Sequence, residues 1–567
     1  MGAAKSAGGR PAVTEVGSAQ RAASGAPGGT FANPVLRGGF PDPSVCRVGD
    51  DFYLCNSSFE YFPGLPIHRS RDLVNWEWVG YGLHRPEQVQ GGAVNLVDVK
   101  QEDGIQAPSL HYHKGVFYII ATCVYRPPGT DEGTCNNFII TATDIRGPWS
   151  QPHLVEGAPG IDPDLFFDDD GKVWYVGTHS VEPPSFPGEG EIWCQEIDLT
   201  GWRLVGGRHA LWRGALHGCM FVEGPHMYKI RGKYYLMVAE GGTGFNHAVT
   251  IAVSDNVTGP FLGNERNPIL TSRNLSSKNW VVATGHADLV ELPDGRWFML
   301  CLGVQGGSNM GRETHLAPVI WEEEQEDWKE KHWWPVVAPE TGRVEHFGNP
   351  TPFEGTLQGL PSGFRDDFAS ETLGFEWNFR RLPRPGAFSL SERPGFLRLR
   401  AGPERIAPNT ACGLLGVRQR ERCFTYRARM EFSPMGEAAE AGVSLFQKDD
   451  SYINLTVRKA GEGHLALLSV AEPGQAAVVS QTPLPGYGGT VEFQVEVASP
   501  GCCYELSLRL GGGPWWAPAF RVDGDKVRSK GYTGAYCGLY CTANGERDAA
   551  DCADFDWVEV VTRPPSE

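Results

Sequence analysis

The sequence predicts an all-β protein, a five-bladed β-propeller followed by a β-sandwich, and three observations carry that prediction. A signature recurs five times, a Pro or Asp followed about nine residues later by two adjacent aromatic residues. Between these signatures, short runs of β-branched and aromatic residues alternate with turn signals, and no amphipathic helical period interrupts them. Past the fifth signature the period ends, yet alternating strand patterns continue.

Taken in order, residues 1–30 are rich in Gly, Ala and Ser and lack the apolar core of a secretory signal, so a disordered tail and a cytoplasmic location are expected. Met1-Gly2-Ala3-Ala4-Lys5-Ser6 fits the N-myristoylation pattern, which arises often by chance and anchors only weakly. The repeats then run from Asp42-Pro43 to Phe52-Tyr53, from Ala107-Pro108 to Phe117-Tyr118 and from Asp162-Pro163 to Trp174-Tyr175. Gly224-Pro225 leads to Tyr234-Tyr235, and Ala287-Asp288 to Trp297-Phe298. Starts about 60 residues apart assign one four-stranded blade to each, over residues 31–345. Strands such as Val116–Ile120 and turns such as Asp168–Gly171 fill the blades, and Glu322–Lys331 reads as a charged, solvated insertion. Residues 346–363 are a Pro/Gly-rich linker. From 364 to 562 the strands alternate, as in Phe396–Arg400 and Val491–Val495, the pattern of a two-sheet sandwich.

Composition narrows the function. Fifty basic against 68 acidic residues leave a net charge of −18, which argues against nucleic acid or anionic lipid as a partner. No apolar run reaches the ~18 residues of a membrane span. The 14 cysteines are scattered, and most read as small buried hydrophobes. Cys537 with Cys541, or Cys502 with Cys503, lacks the second pair that a zinc site needs. A homo-oligomer is compatible with the sequence.

Three repeats place a carboxylate beside their leading residue: Asp42 between Pro41 and Pro43, Asp162 before Pro163, and Glu223 before Gly224-Pro225. Flanking proline limits backbone freedom at such a position. A lone Asp-Pro is most often a turn or strand cap, but three at corresponding points of a propeller should converge on its axis. Converging carboxylates suit glycosidic cleavage, which needs an acid and a base on opposite sides of the anomeric carbon. Glu240, ahead of Gly241-Gly242, is a rival acid that reads as a turn residue, and Asp164 and Asp168–Asp170 read as solvated turns.

With these residues in view, the chain resembles glycoside hydrolase family 43. Asn33–Leu36, Phe40–Ser44, Ser58–Gly64, Ile67–Leu73, Ile161–Lys172, Glu223–His226, Ala239–Thr243, Gly285–Val290 and Gly311–Thr314 carry the likeness across the propeller. Asp366–Phe368, Leu373–Asn378, Gly531–Ala535 and Ala553–Asp556 resemble the concanavalin A-like jelly roll that follows this propeller in β-xylosidase-type members. The resemblance implies an inverting, end-cutting hydrolase that releases terminal xylose or arabinofuranose from small oligosaccharides. It implies Asp42 as general base, Glu223 as general acid, and Asp162 as the group that orients the acid and keeps it protonated. Arg312 would bind sugar hydroxyls, Phe59 would form part of the stacking wall, and a loop bearing Tyr532 would close the pocket. Gln106 stands where relatives carry an aromatic, so the wall is altered there. No cofactor is required. His286 would lie on the axis below the sugar, where some relatives hold calcium through water.

Two other readings compete. Five-bladed fructan hydrolases show Asn before the first Asp-Pro and Arg-Asp-Pro in the third blade, where this chain has Pro41 and Ile161. A non-catalytic sugar-binding protein on the same fold is the alternative from another class, and it is disfavoured because all three acids are present.

Overall fold

The computed structural model describes residues 29–325, 331–359, 363–472, 475–497, 503–515, 520–527, 531–547 and 549–562, and the side chains of 475–479 are not among them. The expected N-terminal tail and most of the charged run after Gln325 lie outside this set. Among the described residues there is no α-helix, only two 3₁₀ turns, and no helix long and apolar enough to cross a membrane.

Residues 44 to 337 form five antiparallel sheets, each with four strands in chain order; the fourth sheet adds a short fifth strand, Leu270–Thr271. The innermost strands are Ser44–Val48, Gly104–His113, Ile161–Phe167, Glu223–Ile230 and Val281–Glu291. Each contacts the innermost strands of the blades before and after it, and the fifth returns to the first, so the ring closes around an axis. Five apolar clusters fill the wedges between adjacent blades. The aromatic pairs of the repeat begin or follow closely on the start of the second strand of each blade, where Phe52, Phe117, Trp174, Tyr235 and Phe298 are buried in those wedges. The ring is sealed where Thr30–Phe31 pairs with Asn349–Pro350. Asn33 reinforces the seal by exchanging side-chain bonds with the Leu316 backbone, both 2.9 Å.

Residues 364 to 562 form two eight-stranded sheets packed around one core that includes Trp377, Phe379, Tyr426, Phe493 and Phe555. One strand of these sheets comes from the propeller. Tyr61–Phe62 pairs with Phe379 and Arg380 at the edge of the sandwich sheet. Beside that pairing, Arg380 and Arg381 are fully buried between propeller and sandwich. Arg380 Nη2 reaches Glu60 Oε1 at 3.1 Å and its Nη1 pairs with Asp449, while Arg381 Nη2 lies 3.0 Å from Asp449 Oδ2. A buried arginine is tolerable only when carboxylates match it, and here two serve two guanidiniums.

Candidate active site

Each innermost strand carries, within it or just before it, a residue in the left-handed region: Asp42 (φ 51), Ala107 (φ 40), Asp162 (φ 55), Gly224 (φ 57) and His286 (φ 44). Four of these are not glycine, and such strain persists only where surrounding structure enforces it, typically at functional sites. The pairing beside it is bulged in the second, third, fourth and fifth blades, and the prolines that follow in the first four have no N–H to lose from a ladder. This register corrects two alignments made from sequence. In the fifth blade the residue equivalent to Asp42 is His286, not Ala287, because the turn at Pro293-Asp294-Gly295 is one residue longer than Arg231-Gly232. In the fourth blade the equivalent residue is Gly224, so Glu223 sits one step earlier.

Asp42 is almost fully buried. Its Oδ1 lies 2.9 Å from Arg312 Nη1 and its Oδ2 accepts the Ser57 hydroxyl at 2.6 Å. Burial would raise its pKa, but the Arg312 guanidinium, with smaller help from the Ser57 bond, holds it below the ordinary carboxylate value. Sequence reasoning missed Ser57, which also accepts the Ala107 N–H at 2.7 Å and so ties the first and second blades together at the acid. Next to it, the Asn56 amide donates to the Phe40 and Pro41 carbonyls at 3.1 and 2.9 Å and fixes the turn carrying Asp42. The polar run Asn56-Ser57-Ser58, ending an apolar strand, was the available signal.

Asp162 donates its N–H to Thr122 Oγ1 and accepts the Gly224 N–H at Oδ2, both at 3.1 Å. It is thereby bonded to the residue next to Glu223. Burial first, then the Asp42 charge, pushes Asp162 up. Glu223 is pushed well above the ordinary glutamate value by burial, then by the charges of Asp162 and Asp42. The three sequence-predicted acids therefore share one electrostatic site, with its members driven apart: Asp42 toward the ionised form, Glu223 toward the protonated form.

Arg312 joins this site to the second domain. Its Nη1 donates to Thr243 Oγ1 at 3.3 Å and its Nε to the Tyr532 carbonyl at 3.3 Å. Tyr532 stacks on Phe59, centroids 5.9 Å apart with planes inclined by 18°, and the Arg312 guanidinium lies 5.4 and 5.2 Å from the two rings. The aromatic wall is thus a pair drawn from both domains, with Phe59 buried and Tyr532 41% exposed. Gln106 neighbours Ala107, and its amide donates to the Glu102 carbonyl at 3.1 Å.

His286 is buried beside Asp42, its Nδ1 3.8 Å from Oδ1, and burial lowers its pKa to about 4, leaving it neutral. A Cβ on Gly224 would collide with its ring, which accounts for glycine there. Calcium takes about six to eight oxygen ligands. His286 presents ring nitrogens, both oxygens of Asp42 are engaged, and among the described residues no three His, Cys, Asp or Glu side chains form a ligand set. These residues build no direct calcium shell, and no step below involves one.

Three further sequence readings change: Asp168, expected in solvent, is buried and accepts from Lys229 Nζ at 2.7 Å and from the Tyr234 hydroxyl at 2.8 Å, and Asp164 and Glu240 change as well. Asp164 is no solvated turn residue. It is buried two positions along the axial strand from Asp162, accepting from His111 Nε2 at 2.7 Å and from the Met227 N–H at 3.0 Å. With Asp288 it raises His226 to about 9 against the effect of burial, which makes a charged girdle below the site. Glu240 is fully buried and accepts from Thr250 Oγ1 at 2.5 Å and from the Ala215 and Leu216 N–H groups at 2.7 and 3.0 Å, which occupies it as a loop anchor. Cys537 and Cys541 are buried free thiols, and Cys502 lies outside the described residues.

The profile of glycosyl hydrolases family 43 matches residues 31–326, and that of the beta-xylosidase C-terminal concanavalin A-like domain matches 365–561. A xylosidase/arabinosidase of Butyrivibrio fibrisolvens is 41% identical over 436 residues, 75% of this chain and 80% of its own. A non-reducing end alpha-L-arabinofuranosidase of Bacteroides ovatus is 33% identical over 534 residues, 94% of each chain. The crystal structure of a xylan beta-1,4-xylosidase from Bacillus halodurans superposes with a TM-score of 0.84 at 29% identity, over 94% of this chain and 100% of that one.

Proposed function

The chain belongs to glycosyl hydrolases family 43 and is an exo-acting glycoside hydrolase, and from that premise we propose that it releases single xylose or arabinofuranose units from short oligosaccharides with inversion at the anomeric carbon. The observation that carries the reading is the split within one site: a base held below its ordinary pKa by Arg312 and an acid held above its own by burial and Asp162. Each is driven toward the form the reaction needs, Asp42 ionised and Glu223 protonated.

In this reading Asp42 takes a proton from a water whose oxygen attacks the anomeric carbon. Glu223 gives its proton to the glycosidic oxygen as the bond from that oxygen to the anomeric carbon breaks. The attack comes from the face opposite the leaving group, so configuration inverts. Asp162 keeps Glu223 protonated and, through the Gly224 N–H, fixes the backbone beside it. Arg312 holds Asp42 and presents guanidinium N–H groups to sugar hydroxyls. A non-catalytic binder would have no need of a raised acid beside a lowered base, and that alternative is not favoured.

Proton NMR of the first-formed sugar tests the assignment. The product should appear first as the anomer opposite to that of the substrate. A first product with retained configuration would make Asp42 a nucleophile and refute its role as base.

A further inference from the structure

The loop bearing Tyr532 is held against Phe59 and Arg312 by a carboxylate of the other domain that takes no part in the chemistry. Glu102 precedes the innermost strand of the second blade and is itself in the left-handed region (φ 65). Its Oε1 accepts the Tyr532 N–H at 2.5 Å, and its Oε2 pairs with Lys448 Nζ at 2.9 Å. The backbone of Glu102 is fixed as well. Its N–H donates to Glu60 Oε2 at 3.0 Å, and its carbonyl accepts the Gln106 amide at 3.1 Å. The approach is so close that a Cβ on Gly531 would overlap the Glu102 carboxylate. On the far side of the same residue, the Tyr532 carbonyl accepts from Arg312 Nε at 3.3 Å.

Tyr532 is therefore gripped at both backbone groups, its N–H by Glu102 and its carbonyl by the arginine that holds Asp42. Domain docking has anchors besides this grip. It is secured nearby by the fully buried set of Glu60, Arg380, Arg381 and Asp449 and by the Tyr61–Phe62 strand. Glu102 and Lys448 lie at the edge of that set, with side chains 17% and 7% exposed. A pair that merely glued the domains together would have no reason to spend one carboxylate oxygen on the backbone of an exposed aromatic.

We propose that Glu102 is a positioning residue for sugar binding: it fixes the Tyr532 peptide so that the ring meets Phe59 and the carbonyl aligns Arg312. The kinetic part of this inference rests on the function proposed above, whereas the structural part does not. Glu102→Ala removes both bonds, Glu102→Gln keeps an acceptor for the Tyr532 N–H, and Lys448→Met removes the ion pair while leaving Glu102 its bond to the Tyr532 N–H.

Two readouts separate positioning from general stability. Hydrogen exchange at the Tyr532 amide should quicken at least ~10-fold in Glu102→Ala, as expected for loss of a charge-assisted bond, with exchange elsewhere in the sandwich unchanged. KM for a nitrophenyl pentoside should rise at least ~10-fold while kcat falls less, and Glu102→Gln should recover most of both effects. Unchanged exchange at Tyr532 overturns the proposal. Faster exchange with unchanged KM overturns it too, since the loop would then be free of sugar binding. Should Glu102→Ala fail to fold, Lys448→Met carries the test, with a KM increase of at least ~2-fold expected and none overturning the proposal. If the wild-type protein cleaves no pentoside, the functional reading fails, and exchange at Tyr532 still decides whether Glu102 holds the loop.

Discussion

Replacing Arg312 with Met should slide the working range of the enzyme toward alkaline pH instead of simply lowering its rate. The guanidinium touches both oxygens of Asp42, at 2.9 and 3.4 Å, and both groups are buried. Unit charges about 4 Å apart at an effective dielectric of ~20 attract by about 4 kcal/mol, all of it favouring the ionised base. If relaxation and entering water leave only about a third of that, the population of ionised Asp42 still changes about tenfold. The sign follows from what remains. Without Arg312, burial is the leading influence on Asp42 and raises it, so the base stays protonated to higher pH and the acid limb of kcat/KM moves up. The same guanidinium lowers Glu223 by a smaller influence, so its loss moves the alkaline limb up as well. Measured on a nitrophenyl pentoside, the midpoint of the acid limb of kcat/KM should rise by about one pH unit or more over wild type. Arg312→Lys, which keeps the charge, should fall in between. An equal loss at every pH would refute the argument and reduce Arg312 to a sugar ligand.

Asp42→Asn and Glu223→Gln should each lower kcat by at least ~10²-fold on xylobiose. On a nitrophenyl substrate, whose leaving group needs little protonation, Glu223→Gln should keep more activity than Asp42→Asn, and equal losses would count against Glu223 as the acid. Asp162→Asn removes a charge that raises Glu223, so the acid loses its proton at lower pH and the alkaline limb should move down; an unmoved limb would leave Asp162 with a purely structural role. With Tyr532 over the pocket, the enzyme should release pentoses while barely thinning a xylan solution, as viscometry beside a reducing-end assay would show. Rapid thinning with few new ends would mean internal cutting.

The repeat was legible because each aromatic pair performs the same task, filling the wedge between one blade and its neighbour. Asp42 and Asp162 were legible because proline punctuates the backbone where it must enter the left-handed region. The slip at His286 arose because counting along the chain cannot see the length of a hairpin turn, whereas Glu223 was grouped with the other acids although Gly224 stands between it and the fourth-blade proline. Asp164 was misread because a run rich in Asp looks like a turn, and the bulge beside Asp162 breaks the strand alternation that would have placed it. Ser57, Glu102 and the Tyr61–Phe62 strand left almost no local trace. Their partners lie in the next blade or in the other domain, and only tertiary contact gives them meaning.

The Tyr61–Phe62 strand changes what the stretch from 346 to 363 can be used for. It looks like a place to divide the gene, but the border in sequence is not a border in space. A propeller expressed alone would keep Glu60 without Arg380, and breaking a buried pair costs about 3–5 kcal/mol, a large share of the ~5–15 kcal/mol that holds a typical domain folded. The two halves should therefore melt in one cooperative transition. Any chimera made by exchanging second domains among relatives must carry Glu60–Phe62 and Trp377–Arg381 together, although 320 residues separate Glu60 from Arg380.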